Sequence, residues 1–226
     1  MGTRIVLVRH GESRAQQEKF VGGHDGCTGL SDLGRRQVTA LRDRLAATGE
    51  LGRVSTLYAS VLPRAVETAE ILAPALGDLD VRRECEFCES HAGVGDGLSW
   101  TEFDRRWPMP AEWTPDTRRD PGSETFAEMR DRVATRLDAL AEQHPDQTVV
   151  VACHGGVVLH SMFHWLEVDP MGRRTRAWLD PVNSSVTEWR VADHPFWGTG
   201  LELVRFNDIG HLTPELLPPR LRVDRS

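Results

Sequence analysis

Three apolar runs constrain this chain more than any other feature. "RIVLV" (4–8), "VSTLYAS" (54–60) and "TVVVAC" (148–153) are largely continuous rather than alternating, and rich in β-branched residues. Strands of that kind are covered on both faces, because neither face carries the polar residues that suit water. Each run leads into a helical pattern. Across 30–49, Ser31 can cap a helix, Val38, Leu41 and Leu45 form an apolar stripe, and Gly49 can end it. Pro63 suits the first turn of a helix through "RAVETAEILA", bounded by Pro74. Gly155 and Gly156 open another, with Val158, Met162 and Trp165 on one face. A further helix is expected over 123–144, where Phe126, Met129, Val133, Leu137 and Leu140 recur at intervals of three and four. Shorter strands are expected near 79–82, at 185–191 and at 201–206. This alternation predicts a three-layer α/β/α sandwich with a mostly parallel central sheet of about six strands. Residues 92–122, rich in proline and glycine and carrying Trp100, Trp107 and Trp113, read as an irregular, partly helical lid insertion within a single domain over 1–226.

Composition excludes several classes. Hydrophobic residues make up 39% of the chain, enough for a core, yet no apolar run approaches the roughly 20 residues of a membrane span. The N-terminal stretch lacks a long apolar region and a small-residue cleavage site, so a cytoplasmic protein is expected. A net charge of −7 leaves no basic footprint for nucleic acid. Lys19 is the only lysine among 27 basic residues, so abundant arginine says nothing about ligands; only arginines at special places count. The four cysteines are expected as reduced thiols. Cys85, Cys88 and His91 form C-x-x-C-x-x-H, a fragment of a zinc pattern. No second ligand pair has matching spacing, so no metal is expected.

Chemistry concentrates where the apolar runs stop. The first ends in Arg9–His10, the second leads to Arg64, and the third ends in His154. In open α/β sheets, ligands sit beyond the carboxyl ends of strands, so these distant residues should meet at one edge. Glycines at 11, 155 and 156 permit tight turns and close backbone approach. Amides at helix starts favour anions. Two arginines and two histidines around such a pocket describe a phosphate site, since a phosphate monoester carries about −1.5 to −2 charges and arginine's planar fork matches its oxygens. Any one of these residues alone would read as a surface charge or a structural histidine; their coincidence at three strand ends points to function.

"LVRHGES", "LSDLG", "SVLPRAVETA" and "VACHGG", followed by "NSSVTEW" (183–189) and "RFNDIGHL" (205–212), resemble the histidine phosphatase, or phosphoglycerate-mutase-like, superfamily. The resemblance implies that His10 is a nucleophile that becomes phosphorylated. It implies that Arg9, Arg64 and His154 hold the phosphoryl group, with Gly155 at the adjoining helix start. Gln16 stands where relatives often carry asparagine, and could donate to phosphate. The loop "KFVGGHDGCTG" (19–29) is longer and more glycine-rich than usual, and the amide of Gly22 or Gly23 is the expected phosphate contact. The acid that protonates the leaving oxygen falls, by the pattern L-x-E-x-x-x-G-x-x-x-G, on Glu89 of "FCESHAGVGDG", with Gly93 and Gly97 in register; Glu84 and Glu86 are its rivals.

The expected activity is metal-independent hydrolysis of a small phosphorylated metabolite, without a cofactor. A phosphoglycerate mutase is the first alternative, although the arginine-, tyrosine- and proline-rich insertion of mutases is not evident in 98–122. A catalytically idle phospho-ligand module is the second. The expected partner is a small-molecule phosphate ester, not nucleic acid or a membrane, with a homodimer as the assembly to test. Specificity should come from 14–29 and 92–122, where Trp100, Phe103, Trp107 and Trp113 could line a pocket or pack under the lid; in a mutase Arg118 and Arg119 could hold a substrate carboxylate, but "DTRRD" reads first as exposed surface.

Overall fold

A computed structural model describes residues 2–169 and 178–221. The expected sandwich is present. Six strands, β1 (Arg4–Arg9), β2 (Val54–Ala59), β3 (Val81–Arg83), β4 (Thr148–Cys153), β5 (Val186–His194) and β6 (Gly198–Asp208), form one sheet in the order β3-β2-β4-β1-β5-β6. β1, β2, β3 and β4 run parallel, whereas β5 and β6 are antiparallel additions at one edge. The sheet's two faces carry alternate residues of the same runs. Val6, Val8, Leu57, Ala59, Val150 and Ala152 pack beneath α2 (Asp32–Thr48) and α3 (Pro63–Leu72). Ile5, Leu7, Tyr58, Val149, Val151 and Cys153 pack beneath α5 (Phe126–Gln143) and α6 (Gly155–Trp165). This two-sided burial is why the strands read as continuous apolar runs.

Helix boundaries follow their caps. Ser31 accepts from the Gly34 amide and Gly49 takes a left-handed conformation after Thr48, as the sequence predicts. α5 starts three residues later than expected. Ser123 is tied to Asp120 instead, and Thr125 forms a capping box with Glu128. The short helix α1 (Arg14–Glu18) was not foreseen; five residues are too few for periodicity to register. β6 also extends beyond the 201–206 expected.

The 92–122 excursion contains a single short helix, α4 (Trp100–Arg106). It is stitched to the loop after α1: Val21 donates to the Leu98 carbonyl, Gly97 to that of Val21, and Trp100 to that of Lys19. Among the described residues no helix is long and apolar enough to cross a membrane.

Candidate active site

Parallel strands place the ends of β1, β2 and β4 side by side, and this delivers the predicted residues to one point. His10 follows β1, His154 follows β4, and Arg64 lies in the first turn of α3 after β2. All three are buried. The two imidazoles meet edge to face, with ring centroids 5.0 Å apart. Arg64 Nε lies between them, 3.1 Å from His10 Nε2 and 3.3 Å from His154 Nδ1, while its Nη1 donates to the Gly22 carbonyl at 2.6 Å.

Neighbouring groups fix the tautomers. His10 Nδ1 is 2.6 Å from the Gly11 carbonyl, which can only accept, so Nδ1 carries the proton and Nε2 keeps its lone pair. His154 accepts at Nδ1 from Arg64, so its Nε2–H donates to Ser60 Oγ at 2.8 Å. Both imidazoles are held well below the usual histidine value, first by burial and then by the adjacent charge of Arg64. The site therefore presents a neutral, unprotonated ring nitrogen, His10 Nε2, whose lone pair accepts from the fixed positive charge of Arg64.

Arg9 donates through Nη1 to the Pro181 carbonyl, while its Nε is buried without a hydrogen-bond partner among the described residues. A Cβ added at Gly155 would stand 3.5 Å from that Nε, which places Arg9 over the start of α6. Glu89 is half-buried and accepts from the Gly156 amide at 3.1 Å. Its rivals lie elsewhere: Glu84 pairs with Arg136 at 2.6 Å, and Glu86 is exposed. Arg9, His10, Gln16, Gly22, Gly23, Arg64 and Glu89 line one cavity of about 470 Å³.

One expected phosphate contact is otherwise engaged, and another is held through its acceptor. The Gly23 amide donates to Asp96 Oδ1 at 2.7 Å, so it is not free for an anion. Asp96 also gathers the amides of Asp25 and Gly26, which explains the glycines of this loop: a Cβ at Gly23 would lie 2.6 Å from Asp96 Oδ2. Gln16 Oε1 is held by the Ser13 amide and by Asn183 Nδ2, leaving the Gln16 side-chain NH2 as its group with protons to donate. Trp100, Phe103, Trp113 and Arg119 reach the cavity wall; Trp107 and Arg118 do not, and Arg118 pairs with Glu128 at 2.7 Å. Sequence reasoning missed Ser60 and Asn183. Ser60 stands at a strand end like the residues that were found, so the same logic reaches it. Asn183 donates to the His10 carbonyl at 3.1 Å from 173 residues away, and no local pattern announces that.

A doubly wound sheet with this cluster at its carboxyl edge defines an α/β protein built around a pocket lined by Arg9, His10 and Arg64. The chain belongs to the histidine phosphatase superfamily (branch 1), whose family model matches residues 5–203. It is 31% identical over 212 residues to phosphoglycerate mutase-like protein 4 of Arabidopsis thaliana, covering 92% of this chain and 86% of that one. It is 28% identical over 193 residues to the metal-independent phosphoserine phosphatase of the same plant, covering 84% and 79%. The solved structure of a mycobacterial glucosyl-3-phosphoglycerate phosphatase in complex with VO3 aligns at a TM-score of 0.69 and 25% identity, covering 90% of this chain and 98% of that one.

Proposed function

We propose that this chain hydrolyses a small phosphate monoester, without a metal in the chemical step, through a phosphohistidine on His10. The observation that carries the reading is the unprotonated Nε2 of His10, buried and held by a hydrogen bond from Arg64, whose guanidinium an arriving phosphoryl group would engage instead. In the first step this nitrogen attacks phosphorus, the ester bond breaks, and Glu89 gives its proton to the departing oxygen. In the second, Glu89 takes a proton from water, the water oxygen attacks phosphorus, and the N–P bond breaks to release inorganic phosphate. Arg9 and Arg64 neutralise the equatorial oxygens, with Arg9 Nε gaining the partner it lacks among the described residues. His154 starts as an acceptor that orients Arg64. The arriving dianion favours its protonation, which turns Nδ1 into a donor. Gln16 and the first amides of α6, at Gly155, complete the phosphate shell.

The relatives' names support a phosphatase that acts on small phosphorylated metabolites. Two of them name esters that also bear a carboxylate, phosphoserine and glucosyl-3-phosphoglycerate. Arg119, on the cavity wall over the Phe103 ring at 4.9 Å, is a cation that could meet such a group by exchanging its ion pair with Asp104 at 2.7 Å.

Brief reaction with phosphorus-labelled phosphoserine or glycerate esters, quenched and digested, tests the reading. Label should be recovered on His10 as an acid-labile, base-stable adduct, and His10→Ala should lose both label and turnover. Normal turnover by His10→Ala would reject the nucleophile. Isomerisation of 3-phosphoglycerate on addition of 2,3-bisphosphoglycerate would establish the mutase alternative.

A further inference from the structure

Cys85, Cys88 and His91 lack a fourth partner in the sequence, but the fold supplies one. His24, in the glycine-rich loop, brings Nε2 to 3.4 Å from Cys85 Sγ and 3.9 Å from Cys88 Sγ. His91 Nε2 stands 3.5 Å from Cys85 Sγ. The four ligand atoms lie within 4.8 Å of one another. Zinc bonds of about 2.3 Å to sulfur and 2.0–2.1 Å to nitrogen, set at tetrahedral angles, put neighbouring ligand atoms roughly 3.3–3.8 Å apart. The His24–Cys85, His91–Cys85 and His24–Cys88 separations fall on or close to those edges, and no separation among the four ligand atoms exceeds them by more than about 1 Å. Weak thiol–imidazole hydrogen bonds pair such groups two at a time and do not require all four to converge.

We propose that His24, Cys85, Cys88 and His91 form a structural zinc site that fastens the Gly22–Gly23 loop to the loop bearing Glu89. Two thiolates and two neutral imidazoles favour zinc over harder cations, and two thiolates balance its charge. Binding would release the two thiol protons to solvent. With four protein ligands the site is closed, so it holds no position for water or substrate and takes no part in the phosphoryl step.

Hydrogen bonds hold the loops that carry the four ligands in place. Asp96 draws the amides of Gly23, Asp25 and Gly26 around His24. Arg132 Nη1 donates to the carbonyls of Cys85, Glu86 and Cys88 at 3.3, 2.7 and 3.2 Å. Its partner Glu124 accepts from the His91 amide at 3.1 Å. Ser60 Oγ donates to Cys88 Sγ at 3.2 Å and accepts from His154 Nε2 at 2.8 Å. One hydroxyl thus joins the proposed site to the phosphate pocket, and such outer partners hold ligands in orientation.

The test needs no assumption about the reaction. The full chain, purified under reducing conditions without chelator, should contain about one zinc per molecule, the number a single closed four-ligand site holds. After chelation, Co(II) should restore the visible bands of a tetrahedral site with thiolate charge transfer, and zinc should raise the melting temperature. His24→Gln and Cys85→Ser should each weaken zinc binding by more than about 100-fold, beyond the 10–100-fold typical of losing an outer partner. Cys27→Ala should keep it. Absence of stoichiometric zinc, an octahedral cobalt spectrum, or a Cys85–Cys88 disulfide in the reduced preparation would overturn the site. An unchanged zinc affinity in His24→Gln would overturn the fourth ligand. Because cobalt is read on the unsubstituted chain, a variant that fails to fold leaves the test intact.

Discussion

At Gly156 a single hydrogen atom decides where a carboxylate can sit. A Cβ there would come within 2.1 Å of Glu89 Oε1 and 2.6 Å of Met129 Cε. Both are ends of flexible side chains, so the fold can yield, but it yields by moving the proposed acid. Gly156→Ala should therefore leave the melting temperature almost unchanged and still impair catalysis. The impairment should be selective. An alkoxide must be protonated as it departs, whereas a nitrophenolate leaves unaided. Turnover of alkyl phosphates should fall by roughly 10²-fold or more, within the span of general acid catalysis, and p-nitrophenyl phosphate should be largely spared. Glu89→Gln should show the same ratio. Glu84→Gln should not, since Glu84 pairs with Arg136 on the protein's flank. Equal losses on both substrates in Gly156→Ala would place the acid elsewhere.

Among the elements, the start of α2 acts as the buttress of the His10 loop. Ser31 caps the helix and also donates to Glu12 Oε1 at 2.8 Å. The Glu12 amide donates to Gln37 Oε1 at 2.9 Å, one turn further along. Gly34 allows this contact, because a Cβ on it would lie 2.0 Å from the Glu12 carbonyl oxygen. In an exposed helix, Gly→Ala stabilises by roughly 0.5–1 kcal/mol. Here the obstacle is backbone, which cannot swing aside, so overpacking of about 1–3 kcal/mol should win. Gly34→Ala should lower the urea midpoint with an unchanged slope, and a raised midpoint would show that the loop is not held against the helix as described. This contact was legible only in part. "LSDLG" announces a capped helix start, but a glycine inside a helix gives no sign of which distant backbone presses on it.

Across the whole molecule, buried neutral histidines set the response to acid. His10 and His154 lie well below the usual histidine value, and burial lowers His160 and His211 to about 4. Below about pH 6.5 the unfolded chain takes up protons that the folded chain refuses, so stability must fall as pH drops through that value. Each such proton contributes a slope of about 1.4 kcal/mol per pH unit. Asp208 acts in the same direction in stronger acid. Its hydrogen bond from Arg44 holds it below the ordinary carboxylate range, a stabilisation lost as the carboxylate is protonated. Urea midpoints between pH 7.5 and 5 should decline, and His160→Leu, which removes a ring packed between Phe126 and Phe163, should flatten the decline. A midpoint constant over that range would contradict the neutral, buried assignment.

What the sequence by itself determined is what local order can carry. Continuous apolar runs dictated strands buried on both faces, intervals of three and four dictated the covering helices, and the strand ends announced Arg9, His10, Arg64 and His154. These signals survive in one dimension because a strand's burial and a helix's stripe are written in consecutive residues. Tertiary structure decided which glutamate reaches the pocket, since only the fold turns Glu89 toward Gly156 and Glu84 toward Arg136. It decided that the Gly23 amide belongs to Asp96, 73 residues away. It also brought His24 to Cys85 across 61 residues. Such pairings depend on how loops close over the sheet edge, where turn geometry and backbone hydrogen bonds, rather than periodicity, set the distances.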